Sequence, residues 1–229
     1  MNKKISISLI ALVLIVPFLV AKADVPFDGT LIALDAGHGG SEKGAVNSTY
    51  DPLNPIYEKD VNLDVVKALR DKLVEAGAIV VLTRETDITI SSRKERVGIA
   101  MDKCLASALA RKCDILVSIH HNGITGDPTH DGTLVIYNEK QDIPLAKALH
   151  DALVPLTGQD EGYMNGGFGI TVYSHLVSAL TEAYYITNDV EAHKYRAGTR
   201  VGEEVEAQFV GLANYFTNKP SGGKGGKPR

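Results

Sequence analysis

The chain has 229 residues, of which 28 are acidic and 24 basic, giving a formal net charge of −4, and 44% of its residues are hydrophobic. This length suits one domain with a well-formed hydrophobic core and is too short for two domains of ordinary size. The excess of acidic residues argues against a nucleic acid partner, because nucleic-acid-binding proteins carry basic surfaces.

The first 23 residues have the features of a secretory signal peptide. A start with two lysines leads into an apolar run at residues 5–21, which ends in the small-x-small sequence Ala21-Lys-Ala23. We therefore predict a signal peptide over residues 1–23 and an exported protein in the periplasm, the cell wall or the extracellular space. An uncleaved membrane anchor is the alternative, but the run is short for a span and contains Pro17. Cleavage would leave 206 residues, no membrane span and, because three lysines and no acid are removed, a formal charge of −7.

The rest of the chain alternates short apolar runs with segments of helical periodicity. Strands are predicted at Leu31–Leu34, Ala78–Thr83, Asp114–Ile119, Thr133–Tyr137 and Val177–Glu182, and helices at about 61–73, 92–110, 142–154 and 201–216. This alternation predicts one α/β domain over residues 24–217, with a mostly parallel, twisted sheet and helices on both faces. The Gly- and Lys-rich residues 218–229 are predicted to form a disordered tail, with a linker role favoured over wall binding.

Two histidines follow the predicted strand ends. His38 lies in Leu34-Asp-Ala-Gly-His-Gly-Gly40, and His120 lies in Ser118-Ile-His-His-Asn122. Ligands of open α/β sheets gather at the carboxyl ends of the strands, so residues 82 apart can meet there. Glu58 at the start of the first helix could supply a third ligand, and two histidines with one glutamate are typical of a hydrolytic zinc centre that leaves one position for water.

Each ligand also has a plain structural alternative. His38 could be a polar turn residue, with Gly37 and Gly39 present only for backbone freedom. Glu58 could be a first-turn glutamate that only favours the helix dipole, and Asp60 competes with it as the anionic ligand.

A late carboxylate completes the predicted site. Glu182 lies in Leu180-Thr-Glu-Ala-Tyr-Tyr-Ile-Thr-Asn188, at the end of a predicted strand. A carboxylate in that position must be paired, solvated or functional. A salt bridge is the structural alternative, and the functional interpretation is a general acid–base that moves a proton from water to a leaving nitrogen.

These four segments resemble the zinc-dependent N-acetylmuramoyl-L-alanine amidases of the amidase-3 type, in order along nearly all of the chain after about residue 30. The resemblance implies Zn²⁺ at His38, Glu58 and His120, and a catalytic Glu182. It also implies an enzyme that acts on peptidoglycan, at the amide bond between the lactyl group of N-acetylmuramic acid and L-alanine of the stem peptide. We expect the protein to be a monomer. The alternatives are a non-catalytic peptidoglycan-binding module on the same fold, or a zinc carboxypeptidase or deacetylase with the same ligands.

Four further residues are predicted to have supporting roles. His121 stands where the family tends to have a small residue, and strand alternation turns it away from the metal, so we expect it to shape the cleft or face solvent. Asp35 is expected either to orient a ligand imidazole or to cap the turn. Arg96 and Asn188 match family residues. Arg96 is expected to form a salt bridge, and Asn188 is expected to order a loop.

Two spacings carry further expectations. Only 62 residues separate His120 from Glu182, which leaves little room for the autoinhibitory insert of some family members, so we expect activity without an activator protein. Cys104 and Cys113 are nine residues apart, and a disulfide or two free thiols are both open. On one continuous helix they would be roughly 13 Å apart, so a bridge requires the helix to end between them.

Overall fold

A computed structural model describes residues 27–167, 169–173 and 175–218. The predicted signal peptide, and the predicted tail from residue 219 on, lie outside these described residues. Asn218, assigned above to the tail, is the last residue of a helix. In the described part of the chain, no helix has the length and apolar character needed to cross a membrane.

The described residues form eight strands and five α-helices. The strands are β1 Leu31–Ala36, β2 Val46–Asn47, β3 Ile56–Tyr57, β4 Ile79–Leu82, β5 Ile115–Asn122, β6 Thr133–Tyr137, β7 Asp160–Asn165 and β8 Val177–Tyr185. The helices are α1 Glu58–Glu75, α2 Arg93–Leu105, α3 Ile143–Leu153, α4 Asp189–Arg196 and α5 Arg200–Asn218. Short 3₁₀ turns lie at Lys140–Asp142, Val154–Leu156 and Ile170–Tyr173.

Six strands form one sheet in the order β4-β1-β5-β8-β6-β7. Neighbouring strands are parallel except for β6 and β8, which are antiparallel, so the predicted mostly parallel sheet is confirmed. The strands β2 and β3 form a small separate antiparallel pair. The carboxyl ends of β1, β5 and β8 therefore meet at one edge of the sheet, where the predicted site residues lie.

Helices cover both faces of the sheet, as predicted. On one face, α1, α3 and α5 enclose the larger hydrophobic cluster, to which α1 contributes Val61, Val65, Val66, Leu69 and Leu73, all fully buried. Complete burial of one such side chain contributes about 1.5–3 kcal/mol to folding. On the other face, α2 packs on β1 and β4 and encloses a smaller cluster with Leu31 and Leu116. This two-sided burial explains why β1 is apolar along most of its length.

The prediction for α2 was too long. It ends at Leu105 rather than at residue 110, and Ala110 has a φ of +46°, which no α-helical residue adopts. Because the helix ends at Leu105, the chain turns back, and Cys104 bonds to Cys113 across a Cα–Cα distance of 5.6 Å. The disulfide alternative is therefore the correct one, by the route that the spacing required.

Three strands were missed. The edge strand β7 has the sequence Asp-Glu-Gly-Tyr-Met-Asn and is largely exposed, so it carries no apolar pattern. The two-residue strands β2 and β3 are too short for any periodicity. In addition, β8 continues three residues beyond the predicted end at Glu182, to Tyr185.

Candidate metal centre and active site

The three predicted ligands converge at the carboxyl edge of the sheet. His38, Glu58 and His120 each offer a ligand atom, and these atoms all lie within 4.8 Å of one another. Glu58 stands between the two rings, with Oε2 at 3.1 Å from His38 Nε2 and Oε1 at 2.8 Å from His120 Nδ1. The competing Asp60 does not belong to this cluster.

Two glycines make room for these side chains. A Cβ on Gly37 would lie 2.3 Å from the His120 ring, and a Cβ on Gly44 would lie 2.3 Å from Glu58 Oε2. The value of Gly37 is thus its closeness to a ligand ring rather than backbone freedom alone. His38 itself has a φ of +58°, an unusual conformation that costs of order 1–3 kcal/mol in a non-glycine residue, and Gly39 and Gly40 after it also have positive φ.

Glu58 is ionised in spite of its burial. Burial acts to raise the pKa of its carboxyl, but hydrogen bonds and charges from His120 and His38 outweigh burial and hold the pKa well below its usual range. Its oxygens also accept from the backbone N–H groups of Ala45, at 2.8 Å, and His121, at 3.2 Å. A carboxylate fixed in this way suits a cation between two imidazoles.

His38 is held from both sides. Burial acts to lower the pKa of its imidazole, but hydrogen bonding and charge from Glu58 and Glu42 raise that pKa above the usual value. Its backbone carbonyl accepts from Arg96, whose guanidinium also donates to the carbonyl of Ala36. Arg96 therefore holds the turn that presents His38.

Glu182 faces the same cavity as His38 and His120. It is the partner of His120 in the register of β5 and β8, and both residues line a cavity of about 520 Å³. Among the described residues, Glu182 forms no salt bridge, and its Oε2 is sealed from solvent without a hydrogen-bond partner. Burial raises the pKa of its carboxyl well above the usual value, and the charges of Glu58 and Glu161 add to that rise. The salt-bridge alternative is therefore wrong in this part of the chain.

Part of the cavity wall comes from the residues before and at the start of α2 and from the turn before β8. Its residues include Ile90, Arg93 and Lys94 on one side and Ile170 and Tyr173 on the other. A larger cavity, of about 680 Å³, lies between α3 and α5 and contains none of the predicted site residues. Reacting groups, rather than size, identify the smaller cavity as the site.

Asp35 has neither of its two predicted roles. It is buried and accepts hydrogen bonds from Thr83 at 2.5 Å and Ser118 at 2.7 Å, and it pairs with Arg96 at 3.0 Å, without contacting an imidazole. Burial acts to raise the pKa of Asp35, but Arg96 and the two hydroxyl hydrogen bonds lower it overall. The predicted salt bridge of Arg96 is confirmed, with Asp35 as the anchor.

His121 was predicted to shape the cleft or face solvent, and that prediction is wrong. Strand alternation does turn it away from His120, but its side chain is fully buried, where Nδ1 contacts Asn62 and Nε2 contacts Glu204. Sequence reasoning missed both partners. Their signal was available, because Asn62 and Glu204 interrupt the apolar faces of α1 and α5.

The predicted loop-ordering role of Asn188 is confirmed. Its Oδ1 accepts from the backbone N–H groups of Val190 and Glu191, which caps α4. Its Nδ2 donates to the carbonyls of Thr129 and His130, which joins the start of α4 to the loop after β5.

Fold and site together describe a hydrolase, and comparison with known proteins gives its class. The Amidase_3 profile, described as N-acetylmuramoyl-L-alanine amidase, matches residues 32–212, and the chain belongs to this family. It is thus an enzyme of the N-acetylmuramoyl-L-alanine amidase class, whose activity is directed at peptidoglycan.

Two of the relatives by sequence come from Bacillus subtilis strain 168. The uncharacterized protein YqiI is 31% identical over 201 residues, which cover 86% of this chain and 89% of YqiI. The N-acetylmuramoyl-L-alanine amidase LytC is 32% identical over 196 residues, which cover 83% of this chain and 36% of LytC. The chain thus corresponds to about a third of LytC and to most of YqiI.

Solved structures agree in fold. An N-acetylmuramoyl-L-alanine amidase from Clostridium difficile 630 has a TM-score of 0.72 at 28% identity and covers 83% of this chain and 98% of that one. The catalytic domain of the amidase CwlV from Bacillus (Paenibacillus) polymyxa var. colistinus has a TM-score of 0.70 at 26% identity, covering 82% and 98%. Both neighbours are themselves almost fully covered, which agrees with a single catalytic domain.

Proposed function

We propose that this protein is a zinc-dependent amidase that hydrolyses the bond between the lactyl group of N-acetylmuramic acid and L-alanine of the peptidoglycan stem peptide. One observation carries the proposal. The ligand atoms of His38, Glu58 and His120 cluster together. The two histidines line a cavity with Glu182, whose Oε2 is sealed from solvent without a hydrogen-bond partner. Membership of the amidase family supports the choice of bond.

The donor set fits zinc better than it fits Ca²⁺ or Mg²⁺. Two imidazoles and one carboxylate suit Zn²⁺, whereas Ca²⁺ and Mg²⁺ take oxygen ligands, and both cysteines are occupied by the disulfide. His38 and His120 would bind through ring nitrogens and Glu58 through a carboxylate oxygen. When bound, a zinc ion supplies Lewis acidity, which activates water and polarises the scissile carbonyl.

Glu182 is positioned to move the proton. A raised pKa suits a carboxyl that must both accept and donate a proton near neutral pH. In the proposed reaction, Glu182 accepts a proton from the attacking water as the water oxygen bonds to the lactyl carbonyl carbon. It then donates that proton to the nitrogen of L-alanine as the C–N bond breaks, which leaves a lactyl carboxylate and a free amine.

We further propose that residues 1–23 are removed on export and that residues 24–217 form the catalytic domain. Peptidoglycan lies outside the cytoplasmic membrane, so a signal peptide agrees with the family's substrate. Mass determination of the exported protein tests this, because cleavage after Ala23 gives a chain that begins at Asp24. A chain that keeps Met1 would contradict cleavage.

Mass spectrometry of the products released from purified peptidoglycan tests the reaction. Free stem peptides with an L-alanine amino terminus, together with glycan that keeps its lactyl groups, should appear with zinc and disappear with a chelator or in Glu182→Gln. Binding without release would favour a non-catalytic wall-binding module. Release of terminal D-alanine or of acetate would instead identify a carboxypeptidase or a deacetylase.

A further inference from the structure

A network of polar side chains is buried beneath the sheet, on the face opposite the cavity. Its members come from three strands or helices besides α1, and each is at most 1% exposed: Asn62, His121, Thr181, Glu204 and Gln208. Burying polar groups is unfavourable unless they are hydrogen-bonded, and apolar residues of similar volume often stabilise a core equally well or better. Stability alone therefore does not account for this polar network.

One end of the polar network contacts the candidate metal centre. Asn62 lies one helical turn after Glu58, and its Nδ2 donates to the carbonyl of Gly37 at 3.1 Å and more weakly to Glu58 Oε1 at 3.4 Å. Gly37 directly precedes His38. A single amide group thus contacts one candidate ligand and fixes the backbone that carries a second.

The orientation of that amide is set by His121 and Glu204. Because Nδ2 of Asn62 faces the Gly37 carbonyl, its Oδ1 faces His121 Nδ1 at 2.7 Å and must accept a hydrogen bond from an N–H at that nitrogen. His121 Nε2 then lies 2.8 Å from Glu204 Oε2, a contact that needs one proton between the two atoms. An imidazole held at both nitrogens cannot turn, so it keeps Asn62 in one orientation.

The other end reaches the strand of Glu182. Gln208 lies one turn after Glu204 on α5, and its Nε2 donates to Thr181 Oγ1 at 2.9 Å and more weakly to Glu204 Oε1 at 3.4 Å. Thr181 directly precedes Glu182. Residues of α5 are thus linked through hydrogen bonds to Gly37, which precedes His38, and to Thr181, which precedes Glu182.

We propose that Asn62, held by the His121–Glu204 pair, is a positioning residue for the metal centre. This inference rests on the proposed function, because it assumes that His38, Glu58 and His120 bind zinc. Hydrogen-bond partners of metal ligands fix ligand orientation, and their loss typically lowers metal affinity 10–100-fold. His121 is the element of this device that the family's small residue at that position would not supply.

Zinc affinity of the purified protein, measured by competition with a chromogenic chelator, tests the proposal. Asn62→Leu removes both hydrogen-bonding groups at similar volume and should weaken zinc binding about 10–100-fold. The matched control is Asp142→Asn, because Asp142 is equally buried and accepts backbone hydrogen bonds from Glu139 and Ser178, away from the site. The control should lower thermal stability and leave zinc affinity at the wild-type value.

A second pair of variants separates hydrogen bonding from packing. In Glu204→Gln the amide can donate to His121 Nε2, so the proton stays on Nδ1 and zinc affinity should be retained. In Glu204→Met the ring loses that partner, and zinc affinity should fall together with a change in the visible spectrum of the Co²⁺-loaded protein. A packing role predicts the reverse order, because Met suits a buried site better than Gln.

The outcomes distinguish this inference from the proposed function. If the wild-type protein binds no zinc, the proposed function fails and takes the inference with it. If the wild type binds zinc and Asn62→Leu binds it equally well, only the inference fails. Asn62→Ala serves the same comparison if the leucine variant does not fold. The two Glu204 variants test the polar network independently, from the side of α5.

Discussion

Glu182 of β8 lies directly opposite His120 of β5 in a parallel pair of strands. Side chains at paired positions of neighbouring strands point to the same face, so both enter the cavity that His38 also lines. The sheet itself therefore sets the distance between the candidate metal centre and the candidate acid–base. Neither loop motion nor a second domain is needed to bring them together.

Replacing Glu182 by Gln should abolish turnover and leave the metal in place. The amide keeps the shape of the side chain but cannot carry the proton, and loss of a general acid–base typically lowers kcat about 10²–10⁴-fold. Zinc content and kcat of the same preparation are the measurements. Glu161→Gln is the matched control, because Glu161 is a nearby carboxylate that bonds Tyr185 and His130 instead. Equal losses in both variants would count against a specific role for Glu182.

The metal-free protein should be more stable as Glu182→Gln than as wild type at pH 7. Burial raises the folded-state pKa of Glu182 above its unfolded value, so below the unfolded pKa, near 4.5, the group carries no penalty. As the pH rises from there towards the folded pKa, the unfolded chain ionises first and stability is lost. Thermal unfolding from pH 4 to pH 8 should show that the difference in Tm between Glu182→Gln and wild type grows as the pH rises. Each kcal/mol of stability corresponds to about 2–4 °C of Tm.

Zinc provides the control for this divergence. A cation close to Glu182 favours the ionised carboxylate, so saturating zinc should reduce the difference in Tm between Glu182→Gln and wild type. A glutamine variant that is less stable than wild type across the whole pH range would show that the carboxylate is stabilised in the fold.

The protein should be active without an activator protein. The segment between His120 and Glu182 contributes the turn Ile170–Tyr173 to the lining of the site cavity, whereas its helix α3 packs on α5 and β6 and contributes no residue there. Access to the cavity therefore does not depend on moving this helix. Product release from peptidoglycan by the purified protein alone is the measurement. A large rise in rate on adding a cell-division activator would contradict the prediction.

Removing the disulfide should lower stability and spare activity. Cys104 and Cys113 close a short loop before the amino end of β5, whereas the site lies at the carboxyl end of that strand. Replacing both cysteines by serine should cost about 2–3 kcal/mol of unfolding free energy, by the loop-closure relation. Denaturant unfolding and kcat should be measured together. A fall in kcat as large as that of Glu182→Gln would mean that the bridge supports the site directly.

Much of this architecture follows from local patterns in the sequence, and the rest depends on distant partners. The apolar runs that become β1, β5 and β8 are visible because both faces of each strand are buried, and their ends place His38 and His120 at one edge. The strand β7 gives no such pattern because it is an exposed edge strand. The polar interruption of the apolar face of α5 at Glu204 is visible in the sequence, but its pairing with His121 could not be deduced locally, because the two residues are 83 apart.

Gly37→Ala should remove zinc binding and activity while the protein still folds. The new methyl carbon would lie 2.3 Å from the ring of His120, and because that ring is the end of a side chain, the ring would move rather than the sheet. Overpacking of this kind costs about 1–3 kcal/mol. Gly202→Ala is the matched control, since Gly202 lies inside α5 with nothing within 4 Å of an added Cβ and should gain about 0.5–1 kcal/mol. Zinc titration and Tm of both variants are the measurements, and a Gly37→Ala protein that binds zinc normally would show that His120 tolerates the displacement.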